Sequence, residues 1–157
     1  MSTTSTAVSP APVASVDPRG LRFAAAVTAV LLTAALLTVP TVPVAATVLL
    51  AVQALVFAVG ALLGVRFSPY GQVFARVVRP RLAPPEALED ARPPQFAQAV
   101  GLVFALVALA ALGLDATTVA LVATGFALVA ALLNAVVGFC LGCEIYLLVR
   151  RLAPSQA

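Results

Sequence analysis

The two cysteines of this chain, Cys140 and Cys143, stand three residues apart and are followed directly by Glu144. A C-x-x-C pair can cycle between a dithiol and a disulfide, and its reactivity depends on the thiolate, which a positive potential stabilises. A carboxylate inside or beside an apolar segment is costly and usually faces a partner or a cavity. These three residues are therefore the candidate site of the sequence.

Two other interpretations of the cysteines remain open. Cysteine is small and often buried, so both residues could simply pack within a helix. Structural zinc needs four nitrogen or sulfur ligands, so a zinc site built from this pair would require a dimer. Histidine, the commonest metal ligand, is absent from the sequence. We therefore predict neither a metal nor a cofactor.

The composition indicates an integral membrane protein. Of its 157 residues, 62% are hydrophobic and 10% are charged, whereas soluble domains are roughly 45–50% apolar and about 25% charged. A soluble core of this size would not cover so much apolar surface, so the surplus must face a lipid bilayer. The nine basic residues are all arginines and form no continuous stripe, so nucleic-acid binding is not predicted.

Four apolar stretches approach or exceed the roughly 20 helical residues that cross a hydrocarbon core. We predict membrane spans at about residues 21–39, 44–65, 96–114 and 116–149. Arginines precede the first span, occupy the 66–95 loop and follow the fourth span, while the other two connections carry none. By the positive-inside rule, the loop and both termini are cytoplasmic in a bacterial plasma membrane. The predicted fold is an all-α, four-helix membrane domain over 21–152, preceded by a disordered tail over 1–20.

The start of the first span has an alternative interpretation. Arg19 and Arg22, followed by an apolar run and small residues, resemble a secretory signal with a cleavage site. Cleavage would leave an unbalanced remainder of three spans, so we predict that the segment is retained.

The central loop contains a predicted helix at about 69–79. Ser68 suits the N-cap and Pro69 suits the first helical position. Apolar residues then recur at i, i+3, i+4 and i+7, with arginines on the other faces, which is typical of a helix lying in the membrane interface. A docking surface for a cytoplasmic partner is the alternative.

The fourth apolar stretch is too long for a straight crossing. As one helix it would extend roughly 50 Å, against about 30 Å of hydrocarbon. Either it tilts and protrudes or it breaks, and Gly138 and Gly142 are the natural places. A break at Gly138 would let Cys140 start a new helix at its positive end. In an unbroken helix the two cysteines are too far apart for a disulfide without distortion.

The two predicted hairpins are similar to each other. The segment "DPRGLRFAAAV" before the first span resembles "DARPPQFAQAV" before the third. The second span closes with "GVRFSPY" and the fourth with "GFCLGCEIY". Parallel repeats occur in membrane proteins, although Ala/Val/Leu-rich spans also align by chance. The repeat sets Gly138 against Gly64 and places Arg66 at the depth of the cysteines, where it could pair with Glu144 or support a thiolate.

With these segments in view, the chain resembles the family of domain of unknown function 4395, small membrane proteins common in actinobacteria. The resemblance covers about residues 16–152 and rests on "VDPRGLRF", "RFSPYGQVFARVVRPRLAPPEALEDARPPQFAQAVGLVF" and "GFCLGCEIYLL". It implies the membrane fold and singles out Cys140 and Cys143, but it supplies no reaction. Members are often encoded near thioredoxin-like and sulfurtransferase-type proteins, which implies a link to thiol redox or sulfur transfer by association.

The leading interpretation is a membrane protein with a cytoplasmic-side dithiol in thiol redox or sulfur trafficking. Cys140 would be the nucleophile and Cys143 the resolving thiol, with Glu144 as proton acceptor or as the partner of Arg66. Its partner would be a cytoplasmic thioredoxin-like or sulfurtransferase-type protein. Whether it is an enzyme is left open.

Two further interpretations concern binding and transport. The protein could be a non-catalytic membrane anchor for a soluble redox or sulfur enzyme. It could also be a transporter subunit for a small sulfur species, which would require a homo-oligomer because four spans are few. Quinone-linked disulfide-forming enzymes share four helices and a C-x-x-C, but they work on the outer face with a second cysteine pair, and this chain has neither.

Overall fold

Six α-helices make up most of the structure, a computed structural model that describes residues 14–152. They are α1 (Pro18–Thr38), α2 (Pro43–Leu62), α3 (Pro69–Val73), α4 (Arg92–Gly113), α5 (Thr117–Val137) and α6 (Leu141–Leu152). The helices α1, α2, α4 and α5 have 20 to 22 residues each and are apolar enough to cross a membrane. The prediction of an all-α protein with four membrane-spanning helices is confirmed.

The two hairpins begin side by side. Two short strands, β1 (Ser15–Val16) and β2 (Glu89–Asp90), pair antiparallel just before α1 and α4. Asp17 directly follows β1, and Asp90 is the last residue of β2. Asp17 Oδ1 accepts a hydrogen bond from the Arg19 backbone amide at 3.0 Å. The Asp90 side chain accepts from the Arg92 amide at 2.9 Å. Such bonds satisfy amide groups that a helix start leaves unpaired.

This arrangement differs from the predicted boundary of the tail. Residues 1–13 of the predicted 1–20 tail lie outside the described residues. Residues 15–16 form β1, and α1 starts at Pro18 instead of Leu21. The apolar run marks where lipid contact begins, whereas the helix start is set by the Asp17 cap and by Pro18, which suits the first helical turn.

Small residues fill the interior of the bundle. α1 packs mainly against α5, and α2 packs mainly against α4. The central cluster consists of Leu32, Ala35, Leu50, Ala108, Ala123 and Ala127. Larger apolar side chains such as Val30 and Leu55 are about 70% exposed, as expected for surfaces that face lipid. Alanine at the contacts lets helix backbones approach closely, which is the usual basis of helix packing in membranes.

The two hairpins carry equivalent contacts at equivalent positions. Near the start of α1, the Arg22 guanidinium donates to the carbonyl of Val136, in the last turn of α5, at 2.9 Å. Near the start of α4, the Gln95 amide donates to the carbonyl of Ala61, in the last turn of α2, at 2.8 Å. α1 therefore caps the end of α5, and α4 caps the end of α2. In each case the first helix of one hairpin caps the second helix of the other.

Aromatic contacts repeat in the same way. Phe23 of α1 packs on Phe74 with ring centroids 5.8 Å apart. Phe96 of α4 packs on Tyr146 of α6, also at 5.8 Å. Gly64 follows α2 with φ 102° and Gly138 follows α5 with φ 73°, so both hairpins end in a turn that favours glycine. The structure thus supports the predicted repeat.

The fourth predicted span, 116–149, is divided in two. α5 ends at Val137, and α6 starts at Leu141. The 21 residues of α5 correspond to about 31 Å of helix, which matches the hydrocarbon thickness. Of the two alternatives in the sequence, the break at Gly138 is the one observed.

The central loop is helical but irregular. α3 continues as a π-helical turn over Phe74–Val78 and a 3₁₀ turn over Arg79–Arg81. Phe74 is only 4% exposed, whereas Val73 is 48% exposed and Val77 is 50% exposed. The residues of the predicted apolar face therefore lie in different surroundings. Phe74 packs into the bundle against α1, whereas Val73 and Val77 stay half exposed. The position of this segment in a membrane interface stays a prediction.

Candidate functional site

The cysteine pair is positioned by the turn that ends α5. Gly138 adopts φ 73° and ψ 13°, and its amide donates to the carbonyl of Asn134 at 3.1 Å. This left-handed conformation stops the helix and satisfies a carbonyl of its last turn. After the turn, the amide of Glu144 donates to the carbonyl of Cys140 at 3.1 Å. Cys140 therefore stands directly before α6, and Cys143 lies in its first turn.

Cys140 and Cys143 form a disulfide. Their Cα atoms are 5.2 Å apart, within the range of about 4.4–6.8 Å that disulfides use. The pair can close because Cys140 precedes α6 and is not held by helical geometry on both sides. Both cysteines are partly buried.

A close contact with α4 fixes the start of α6. A Cβ atom built on Gly142 would lie 2.6 Å from the Cβ of Ala97, so only glycine permits this approach of the two helices. Gly142 stands between the cysteines, and its contact therefore holds the disulfide against α4. The glycine that the sequence suggested as a second break point is a packing contact inside α6.

Arg22 lies beside the turn that leads to Cys140, although the sequence had not suggested it as a residue of the site. Its guanidinium donates to the carbonyls of Ala135 and Val136 at the end of α5. A methyl group built on Gly138 would lie 3.9 Å from Arg22 Cδ, so this side chain reaches the turn that precedes Cys140. The positive charge of the guanidinium offsets the negative potential at the C-terminal end of α5, which is a stabilising arrangement. The internal repeat could have revealed it, because Arg22 occupies the position of Gln95.

The predicted pair of Arg66 and Glu144 is not formed. Arg66 lies over the ring of Phe67, with its guanidinium carbon 4.6 Å from the ring centroid. Glu144 is exposed in the first turn of α6, where a carboxylate complements the positive helix end. Within residues 14–152, the ion pair that forms joins Arg19 to Asp17 at 3.0 Å.

A cavity of about 360 Å³ opens beside the disulfide. It lies between α1, α4, α5, α6 and the segment 69–81, and Cys140 forms part of its wall. Apolar residues make up most of the lining. Its polar and charged members include Asp17, Thr28, Arg79, Gln98 and Asn134. Arg66 also lines this cavity, so the structure brings it to the same space as Cys140 although not to Glu144.

A buried hydrogen-bond chain connects the loop to the bundle beside this cavity. Gln53 is 0% exposed. Its amide nitrogen donates to Thr28 Oγ1 at 3.4 Å, and its carbonyl oxygen accepts from the Tyr70 hydroxyl at 3.0 Å. Burial raises the pKa of Tyr70, so the phenol stays protonated and able to donate. The chain anchors α3 against α1 and α2.

The donor set around the cysteines offers little to a metal ion. Within residues 14–152, no three side chains of Asp, Glu, Cys or His come close enough together to hold one.

Comparisons with known proteins place the chain in a family. No curated protein and no solved structure was found to match it. The family described as "Domain of unknown function (DUF4395)" matches residues 16–151. This range includes the four membrane-crossing helices, the segment 69–81 and both cysteines. The chain therefore belongs to the DUF4395 family.

Proposed function

We propose that this protein carries out thiol–disulfide exchange at the cytoplasmic face of a bacterial plasma membrane, in thiol redox or sulfur trafficking. The observation that carries the proposal is the Cys140–Cys143 disulfide, which is held at the start of α6 just beyond the membrane-crossing helix α5. A pair at a helix start, outside the apolar span, is accessible to a soluble partner and close to positive potential.

The exchange follows ordinary thiol–disulfide chemistry. A thiolate of the partner attacks one sulfur of the pair, a mixed disulfide forms, and the other cysteine leaves as a thiolate. A second thiol of the partner then displaces the remaining cysteine, so the partner gains a disulfide and this chain gains two thiols. In the reverse direction Cys140 attacks a partner disulfide and Cys143 resolves the mixed disulfide.

The surroundings support Cys140 as the reacting sulfur. Cys140 precedes the 12-residue helix α6, whose dipole favours a negative charge at this end. Arg22 offsets the opposing dipole of α5 at the preceding turn. Glu144 would accept the proton: it lies one helical turn after Cys140, to whose carbonyl its amide donates, and it is exposed to solvent.

The proposed sidedness rests on charge. Arg19 and Arg22 stand at the start of α1, and Arg150 and Arg151 stand at the end of α6. Cytoplasmic segments are enriched in arginine and lysine, and the cysteine pair lies at the same end of the bundle as Arg22. The partner would then be a cytoplasmic thioredoxin-like or sulfurtransferase-type protein.

Thiol labelling in oriented membrane vesicles tests the proposal. After reduction, a charged, membrane-impermeant maleimide is added to inverted and to right-side-out vesicles that contain the wild type, Cys140→Ser or Cys143→Ser. We expect fast labelling from the cytoplasmic side, and faster labelling of Cys143→Ser than of Cys140→Ser. If neither cysteine reacts from either side, even at high pH, both are packing residues and the proposal is wrong.

A non-catalytic anchor is the second candidate, and the exposed face of the central loop favours it. Val73 and Val77 remain about half exposed while Phe74 holds the segment to the bundle. An apolar patch of this kind can seat a soluble enzyme. Co-purification of a soluble protein that requires residues 68–95 but persists in the double Cys→Ser variant would support the anchor over the exchange protein.

A further inference from the structure

We propose that the cavity beside Cys140 binds a lipid-soluble quinone, which exchanges two electrons with the Cys140–Cys143 pair. The inference rests on the proposed exchange function and names the second redox partner of the same site. It differs from quinone-linked enzymes with a second cysteine pair, because a soluble dithiol would reach the Cys140–Cys143 pair directly.

The position of the cavity favours a ligand that dissolves in lipid. Its wall on α1 extends from Gly20 to Thr28, and its wall on α5 extends from Phe126 to Asn134. Eight residues of helix correspond to about 12 Å, so the cavity reaches about two turns into the membrane-crossing helices. Most of the residues that line the cavity between these helices are apolar, which suits a ligand that dissolves in lipid.

The lining suits a flat ring with a polar atom at its edge. The rings of Phe74 and Phe104 and the methyl group of Ala24 offer apolar contact. Asn134 also lines the cavity, and its side chain forms no hydrogen bond with another group of residues 14–152. Its amide is free to donate to a carbonyl oxygen of a quinone. An acyl chain would leave this amide without a partner, which costs free energy.

The volume and the redox chemistry agree with this ligand. A cavity of about 360 Å³ lies within the range of about 300–1,000 Å³ of small-molecule sites and admits the ring, while an isoprenoid tail can extend into lipid. Cys140 lines the cavity, so one residue of the cysteine pair borders the space for the ring. A quinone and a dithiol each exchange two electrons and two protons.

The proposed step balances without a further reagent. In the reduced protein, Cys140 and Cys143 lose two protons and two electrons, and the S–S bond forms. The quinone takes up the two electrons and two protons, and its two carbonyl groups become the hydroxyl groups of a quinol. Exchange with a soluble dithiol then returns the pair to the reduced form, so the cycle transfers two electrons from a protein dithiol to the quinone.

The test uses the full chain in lipid nanodiscs under anaerobic conditions. The protein is reduced, freed of reductant and mixed with decylubiquinone, whose fully substituted ring prevents addition of thiols. Loss of quinone absorbance is followed together with disulfide formation. We expect one quinol for each disulfide formed in the wild type, and no reaction with Cys140→Ser.

Two substitutions on α1 separate the cavity from general effects. Ala24 lines the cavity, whereas the nearby Ala26 is exposed and lies outside the lining. We expect Ala24→Leu to slow quinone reduction by about tenfold or more, as small volume changes do in fitted sites, while Ala26→Leu reacts like the wild type. Asn134→Leu should raise the quinone concentration needed for half-maximal rate, since it removes one amide donor.

Parallel exchange assays distinguish the two proposals. Dithiothreitol should reduce the disulfide at the same rate in the wild type, Ala24→Leu and Ala26→Leu. If exchange proceeds but the wild type does not reduce the quinone, or Ala24→Leu reduces it as fast as the wild type, the quinone site is wrong and the exchange function stands. If dithiothreitol does not react either, the exchange function is wrong as well.

Discussion

Replacing Gly138 by alanine should shift the redox equilibrium of the cysteine pair. Gly138 adopts φ 73°, a conformation that costs an L-residue about 1–2 kcal/mol. The site has room for a methyl group, because a Cβ atom there would meet nothing closer than Arg22 at 3.9 Å. The cost of Gly138→Ala is therefore conformational and not steric.

This cost falls on the disulfide more than on the dithiol. We expect this because the S–S bond ties Cys140 to Cys143 and limits how far the turn at residue 138 can relax, whereas the reduced chain lacks this constraint. A penalty of about 1 kcal/mol on the disulfide form alone would lower the equilibrium constant for its formation about fivefold. The reduction potential of this two-electron couple would rise, becoming less negative by roughly 20 mV. The reduced form would be favoured.

A redox titration measures this shift. The protein in nanodiscs is equilibrated with glutathione buffers, quenched with acid and labelled with a maleimide of high mass, so that a gel separates reduced from oxidised chains. Gly125→Ala is the matched control, because Gly125 lies in α5 and a Cβ atom there meets nothing within 4 Å. We expect no redox shift in the control and a helix that is more stable by about 0.5–1 kcal/mol.

An unchanged midpoint in Gly138→Ala would refute the argument. It would mean that the turn at Gly138 is kept in both redox states, so that its conformational cost cancels. The variant would then lose stability without a change in the exchange equilibrium. A shift of equal size in Gly125→Ala would also refute the reasoning, since that residue has no role in the turn.

Three further predictions concern stability. Gly142→Ala should destabilise the protein by about 1–3 kcal/mol through overpacking against α4. Because α6 is then held less firmly, we expect a lower melting temperature and faster reduction of the disulfide. An unchanged melting temperature would contradict the close contact. Tyr70→Phe leaves the buried Gln53 carbonyl without its donor and should cost about 1–3 kcal/mol, measured by denaturant titration in detergent, whereas a neutral result would mean that water replaces the phenol. The pKa of Asp17 is lowered by its hydrogen bond with Arg19, so this carboxylate contributes stability above the ordinary aspartate pKa that is lost as the pH falls through the lowered pKa. Asp17→Asn keeps an N-cap but should melt with a weaker pH dependence between neutral and acidic pH, and an unchanged dependence would exclude this ion pair as its source.

Much of the architecture could be predicted from the sequence because it depends on local properties. The lengths of the apolar runs determine four helices that match the bilayer, and the arginine distribution predicts their orientation. The excess length of the fourth run, together with Gly138, pointed to a break as one alternative. The sequence repeat also predicted that the two hairpins share features, which the paired caps of Arg22 and Gln95 display.

The candidate site could be predicted only in part. The cysteines and the glycines stand out by residue type, but the role of Arg22 depends on a carbonyl more than one hundred positions away. The pairing of Arg66 with Glu144 was wrong because depth along the membrane does not determine which side chains meet. Arg66 instead stacks on the adjacent Phe67 ring.

The sequence by itself determined that this chain crosses the membrane four times and carries one C-x-x-C pair near the end of the last crossing. Only the tertiary structure decided which helix faces meet, that Gly142 lies against α4, and that a cavity opens at Cys140. The physical reason is that hydropathy does not distinguish a side chain that faces lipid from one that faces another helix, since both surroundings are apolar. That choice depends on shape and small-residue contacts between distant segments.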